Sequence, residues 1–216
     1  MSEVIAIPRQ RRALATRERL LDIAGVLLAE VGIGRISTNL IAARAGVTPP
    51  VLYRYFRDKY DVLEALGARL MNRQNQVLFA WLERCAPSGL AGLSDGLEQL
   101  LIDTAKVTAA EPGAIWTLRA LAAVPRLAHV RTDSHRLVTD RMAAVYAALL
   151  PDIPPAVLWR RLRISVEFGF AADAMLYDET GIARADIIAD AAAILRHALA
   201  PQAGEANSGG ASGPRR

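Results

Sequence analysis

Apolar residues recur at intervals of three and four along nearly the whole chain, and period-two alternation is absent, so the expected fold class is all-α. Leu20, Ala24, Leu27 and Val31, joined by Leu21 and Leu28, predict a helix from about Arg12 or Thr16 to Val31, stopped at Gly32. Ile41, Ala42 and Ala45 predict a short helix behind the N-cap Ser37, closed at Gly46. Leu52 and Phe56 mark the buried side of a second short helix. Leu63, Leu66, Leu70, Val77, Leu78 and Trp81 predict a long helix over 59–84, followed by a break at Pro87–Gly89. Leu90, Leu93, Leu97, Leu100 or Leu101, and Thr104 predict one amphipathic helix that ends near Glu111-Pro112-Gly113. Further helices are expected at 114–123, 126–150, 156–177 and 182–199.

The stretch Ser37–Lys59 carries the most chemistry. Thr48 is expected to cap the second short helix through the N–H of Val51, because Pro49 and Pro50 have no N–H and fill the first turn. The prolines fix φ and stiffen this helix at its exposed end. Tyr53, Arg54 and Tyr55 then supply hydroxyls, ring faces and a cation, and Asp58 caps the next helix. Lys59 in that first turn opposes the macrodipole, which points to an external anion. Two short helices joined by a glycine turn, with aromatic and basic groups on the second, make a helix-turn-helix pattern.

The fuller string, a preceding amphipathic helix and then T-x-x-x-I-A-x-x-A-G-V-T-x-x-x-L-Y-x-Y-F-x-x-K, resembles the DNA-binding domain of TetR-family transcriptional regulators over about residues 12–66. The resemblance implies an N-terminal three-helix DNA-binding domain and a C-terminal helical ligand-binding and dimerisation domain over 67–200. These would be flanked by a flexible basic arm at 1–11 and a disordered Gly/Ser-rich tail at 201–216. By resemblance Thr38, Tyr53 and Lys59 look like phosphate contacts, and Asn39, Thr48, Pro49, Pro50, Arg54 and Tyr55 fall where bases or groove walls are met. Ser37 belongs to the same DNA-facing set. Asn39 stands where some members have a guanine-reading Arg, and an Asn suits adenine better. Pro49-Pro50 replaces a commoner polar-then-small pair and offers apolar surface to thymine methyls.

Charge agrees with a polyanion partner at one end. Residues 1–75 hold 12 Arg/Lys against 7 Asp/Glu, and residues 76–216 hold 14 against 15. Cys85, the one cysteine, cannot form an intramolecular disulfide and is expected as a small buried apolar side chain. With no signal-peptide core and no run of 18 apolar residues, the expected location is the cytoplasm, away from membranes.

The last two helices carry more apolar surface than is usual for one core, which points to a two-fold four-helix pairing through 156–177 and 182–199, with a wholly intramolecular cover as the alternative. The family resemblance implies the same homodimer, and with it a palindromic site. It also implies a repressor released by a small apolar effector; a regulator of the same build without an effector is the alternative. Trp116, Arg119, Met142, Phe168, Phe170 and Met175 are the candidate pocket residues. Asp173, set among apolar neighbours, either anchors a ligand, pairs with an arginine such as Arg161 across the dimer, or faces solvent. No cofactor or metal is expected, since His129, His135 and His197 show no ligand spacing. No nucleophile motif or phosphate loop is present, and an enzyme is the remote rival.

Overall fold

The computed structural model describes residues 9–198, in which ten α-helices and no strand are found. Helix α1 spans Arg9–Arg35, α2 Thr38–Ala45, α3 Pro49–Tyr53, α4 Lys59–Cys85 and α5 Gly89–Asp95. Helix α6 spans Leu97–Ala110, α7 Ala114–Ala123, α8 Ala128–Leu149, α9 Pro155–Asp178 and α10 Arg184–Ala198. Most of the expected basic arm (1–8) and all of the expected tail (201–216) lie outside the described residues; Arg9–Arg11 instead begin α1. Gly32 takes φ 72°, ψ 172°, so regular helix in α1 ends where the sequence predicts, and a final short turn leads to Arg35.

The first hydrophobic core gathers Leu20, Leu21, Ala24, Leu27 and Leu28 of α1, Ile41 and Ala42 of α2, Leu52 and Phe56, and Val62, Leu63 and Leu66 of α4. Each fully buried leucine contributes about 1.5–3 kcal/mol of transfer free energy. Ala120 and Leu121 of α7, with Leu127, complete this core from the far side of the chain. Helix α7 docks on α1 because Gly25 and Gly113 let the backbones meet. A second core joins Trp81 and Leu82 of α4 to α5, α6, α8, α9 and α10. Helix α4 therefore runs through both cores, as its unusual length suggests.

Four expectations need correction. The 90–110 segment is two helices with Gly96 between them, at a position where a β-carbon would crowd Cys85 Sγ and Trp81 Nε1. Helix α3 is only five residues long, so Tyr55 and Phe56 lie in the turn that follows. Thr48 flanks α3 without a side-chain cap bond; its backbone carbonyl accepts from the N–H of Val51 at 2.9 Å. The carbonyl thus satisfies the donor that the hydroxyl was expected to take. Cys85 is half-buried, because the break at Ala86–Ser88 brings its helix end toward solvent.

Candidate nucleic-acid interface and inner cavity

The helix-turn-helix segment is built by caps. Ser37 Oγ accepts from the N–H of Leu40 at 3.2 Å, leaving the N–H groups of Thr38 and Asn39 ahead of the helix without an intrahelical partner. Gly46 sits in the left-handed region at φ 64°, and the N–H of Val47 reaches back to the Ala42 carbonyl at 3.0 Å, closing α2 with a tight reversal. Arg19 donates to the Ala45 carbonyl at 3.2 Å and Arg44 pairs with Glu30 at 2.8 Å, so α1 holds α2 at both its last turn and its surface. The exposed Arg44–Glu30 pair adds little stability.

Thr48, Pro49, Pro50, Tyr53 and Arg54 are all exposed, and together with Asn39 they form one outward patch. Pro49 and Pro50 have no N–H, and Val51 and Leu52 both donate to the Thr48 carbonyl. The start of α3 therefore offers no free backbone donor, and any nucleic-acid contact there must come from side chains. Tyr53 is 49% exposed, with its hydroxyl 3.1 Å from Thr38 Oγ1, tying the two helices at the patch edge. Tyr55 is half-buried and packs partly on the first core, while Phe56 is buried as expected. Lys59 donates from Nζ to the Ile33 carbonyl at 3.1 Å, so its ammonium is partly engaged at the end of α1.

Asp58 Oδ1 accepts from the N–H groups of Tyr60 and Asp61 at 2.7 and 2.9 Å, the capping that the sequence predicts for α4. Partial burial opposes ionisation of Asp58, but those N–H groups and the Arg126 guanidinium outweigh it and hold the carboxyl below its ordinary range. Arg126 lies just before α8, so this cap is also a strut from the C-terminal helices to the helix-turn-helix segment.

Between α4, α6, α8, α9 and α10 lies a cavity of about 70 Å³. Met142 and Phe170, two of the candidate pocket residues, line it. Phe168 packs half-buried against the same core but is absent from the lining. Trp116, Arg119 and Met175 lie elsewhere, which corrects their assignment. Arg119 stacks over the exposed Trp116 ring at 5.0 Å and pairs with Asp178 at 2.8 Å, because Ala114, Thr117, Ala120 and Leu121 take the inward side of α7. Met175 projects from the outer side of α9. Asp173 is buried, against the solvent-facing option, and accepts from Thr108 Oγ1 at 3.0 Å beside a smaller space of about 10 Å³. Burial pushes its carboxyl up to about 6, although the Thr108 bond and the Arg184 charge act the other way.

Sequence reasoning missed the polar members of the cavity wall, Gln74, Asn75, Thr104 and Ser165. The signal was present for one of them: Gln74 continues the Leu63, Leu66, Leu70 spacing, so a polar residue interrupts an inward stripe. His135, fully buried, stacks on Phe170 with centroids 4.0 Å apart and meets Glu167 at 3.0 Å. Burial lowers the His135 pKa despite that carboxylate. Burial alone would raise Glu167, but bonds from His135 and Arg163 bring it to about 2.

Residues 20–66 match the family model described as bacterial regulatory proteins, tetR family. Over this segment the chain is similar to the tetR family of regulators. Among similar proteins are an HTH-type transcriptional regulator of Staphylococcus aureus, 40% identical over 53 residues (24% of this chain, 29% of the relative), and the class D tetracycline repressor of Escherichia coli, 33% identical over 63 residues (29% of each). The match thus spans under a third of these relatives' length. Solved structures share the fold over most of the chain. A TetR-family transcriptional regulator from Streptomyces coelicolor superposes with TM-score 0.60 at 24% identity, covering 85% of this chain and 97% of the other. SmeT in complex with triclosan gives TM-score 0.60 at 23% identity, covering 86% and 90%. Among the described residues no group of three His, Cys, Asp or Glu could hold a metal, and no helix is long and apolar enough to cross a membrane.

Proposed function

We propose that this chain is a cytoplasmic homodimeric transcription regulator of the tetR family that binds a palindromic DNA site and, as a repressor, is released from it by a small apolar effector. The observation that carries the reading is the outward patch of Asn39, Thr48, Pro49, Pro50, Tyr53 and Arg54, inside the segment that matches the family model. The uncommitted N–H groups at the start of α2, beside Ser37, Thr38 and Tyr53, suit a backbone phosphate, and Lys59 adds a cation nearby. Asn39 and Arg54 are the candidates for base edges, with the prolines and Tyr55 beside them as groove wall.

A dimer is supported by the outer strip of α9. Val157, Ile164, Phe168, Ala171 and Met175 recur at spacings of three, four and seven, with Ile164 63% exposed, and Ile194 of α10 is exposed as well. Covering such a strip with a second copy sets two reading heads about 34–36 Å apart, one turn of DNA. The effector reading is supported by the inner cavity, with Met142 and Phe170 in its wall, and by the SmeT complex with a small molecule. Asp173 belongs to its neighbourhood. A coupling of about 1–3 kcal/mol between cavity and DNA face would change affinity roughly 5–150-fold.

Selection of bound duplexes from random DNA by the purified protein is the test. A palindromic consensus is expected. Salt-sensitive binding without any consensus would remove specific regulation.

A further inference from the structure

The wall of the cavity holds donors in the Asn75 amide and the Tyr146 hydroxyl, and accepting oxygens in Thr104, Ser165 and Gln74. It carries no charged side chain, and most of it is leucine, valine, methionine and phenylalanine. The hydroxyls of Thr104 and Ser165 already give their protons to helix carbonyls, those of Leu100 at 2.9 Å and Arg161 at 3.0 Å. What remains on both oxygens is accepting capacity.

Gln74 is the acceptor left without a donor. It is 2% exposed, and its Oε1 has no partner. Its orientation is fixed by the network behind it. Thr108 Oγ1 lies within hydrogen-bond distance of the Thr104 carbonyl and of Asp173 Oδ2, two acceptors competing for its single proton. It can therefore only accept from Gln74, whose Nε2 stands 2.9 Å away. The amide nitrogen is turned to Thr108, and the carbonyl oxygen is left over.

We infer that the cavity takes an uncharged, largely apolar molecule that presents an O–H or N–H donor to Gln74 Oε1. The inference rests on the effector reading and names the chemical class of that ligand. An unpaired buried acceptor is unfavourable, and a ligand donor relieves it. A carboxylate finds no cation in the wall, and any acceptor-only ligand leaves Gln74 Oε1 unpaired.

The test is calorimetric titration of the full-length protein with 4-tert-butylphenol, its methyl ether, and 4-tert-butylbenzoate. The phenol should bind at least about 5-fold more tightly than the ether, although the ether is the more apolar. The benzoate should bind more weakly than both. Gln74→Met should bring the phenol-to-ether ratio toward one while ether binding persists. Equal or tighter binding of the ether or the benzoate to the wild-type protein overturns the donor inference and leaves an effector cavity standing. Binding of none of the three overturns both. The wild-type comparison decides the matter even if the variant does not fold.

Discussion

Gly25 and Gly113 touch backbone to backbone: a methyl group on Gly113 would overlap the Gly25 carbonyl, and one on Gly25 would overlap the Pro112 carbonyl. This contact joins α1 to the start of α7. Gly113 also has φ 68°, as Gly46 has φ 64°, but Gly46 has open space around it. Gly46→Ala should therefore lose only the left-handed penalty, about 1–2 kcal/mol. Gly113→Ala should lose clearly more. Urea midpoints at unchanged slope measure both, and equal losses would mean that the contact yields freely.

Glu111 is buried at the end of α6 and forms ion pairs with both Arg69 and Arg73 of α4. Arg69 also meets Glu18 at 3.0 Å and Asp22 at 2.8 Å, so one guanidinium links α1, α4 and the α6–α7 turn. Glu111→Gln should lower stability by about 3 kcal/mol, since it leaves a largely buried cation underpaired. A loss under 1 kcal/mol in chemical denaturation would show that Glu18 and Asp22 suffice.

Asp173 supplies a pH signature. Its carboxyl sits near 6 in the folded chain against an ordinary 3.8, so between those values the native state binds more protons than the unfolded one. Stability attributable to this group falls as pH rises through that window. Asp173→Asn should accordingly raise stability by about 3 kcal/mol at pH 7.5 and bring no gain below pH 4. Melting curves of both proteins across that range are the check. A gain independent of pH would assign the effect to packing.

On the DNA side, Tyr53→Phe and Lys59→Ala should weaken binding to all duplexes alike. Lys59→Ala should also reduce the dependence of log affinity on log salt by about one unit. Arg54→Ala and Asn39→Ala should instead relax preference at individual base pairs, with about 1–3 kcal/mol of discrimination lost. Unchanged affinity and selectivity in all four variants would mean that another surface meets DNA.

The helices and their caps were legible in the sequence because they depend on neighbours along the chain. Ser37, Gly46 and Asp58 act within four residues of themselves, and Phe56 follows Leu52 by one turn. The break at Gly96 was not legible, since Leu90, Leu93, Leu97 and Leu100 keep helical spacing across it; its surroundings are set by Cys85 and Trp81, which arrive from α4. The surface placement of Trp116 and Arg119 escaped for the same kind of reason. An aromatic beside an arginine reads equally well as a pocket or as an exposed stack, and small residues on the opposite side of α7 decide it. Gln74 was the avoidable omission, because a polar residue in an inward register is visible without coordinates.

Helix α4 has 27 residues and so extends about 40 Å without interruption. Gln74 and Lys59 are roughly 15 residues apart on it, or about 22 Å. Pivoting such a rigid shaft by ~5° at Gln74 would sweep its far tip through ~2 Å. On the proposed effector reading, that displacement would carry a side chain out of hydrogen-bond range of a base edge.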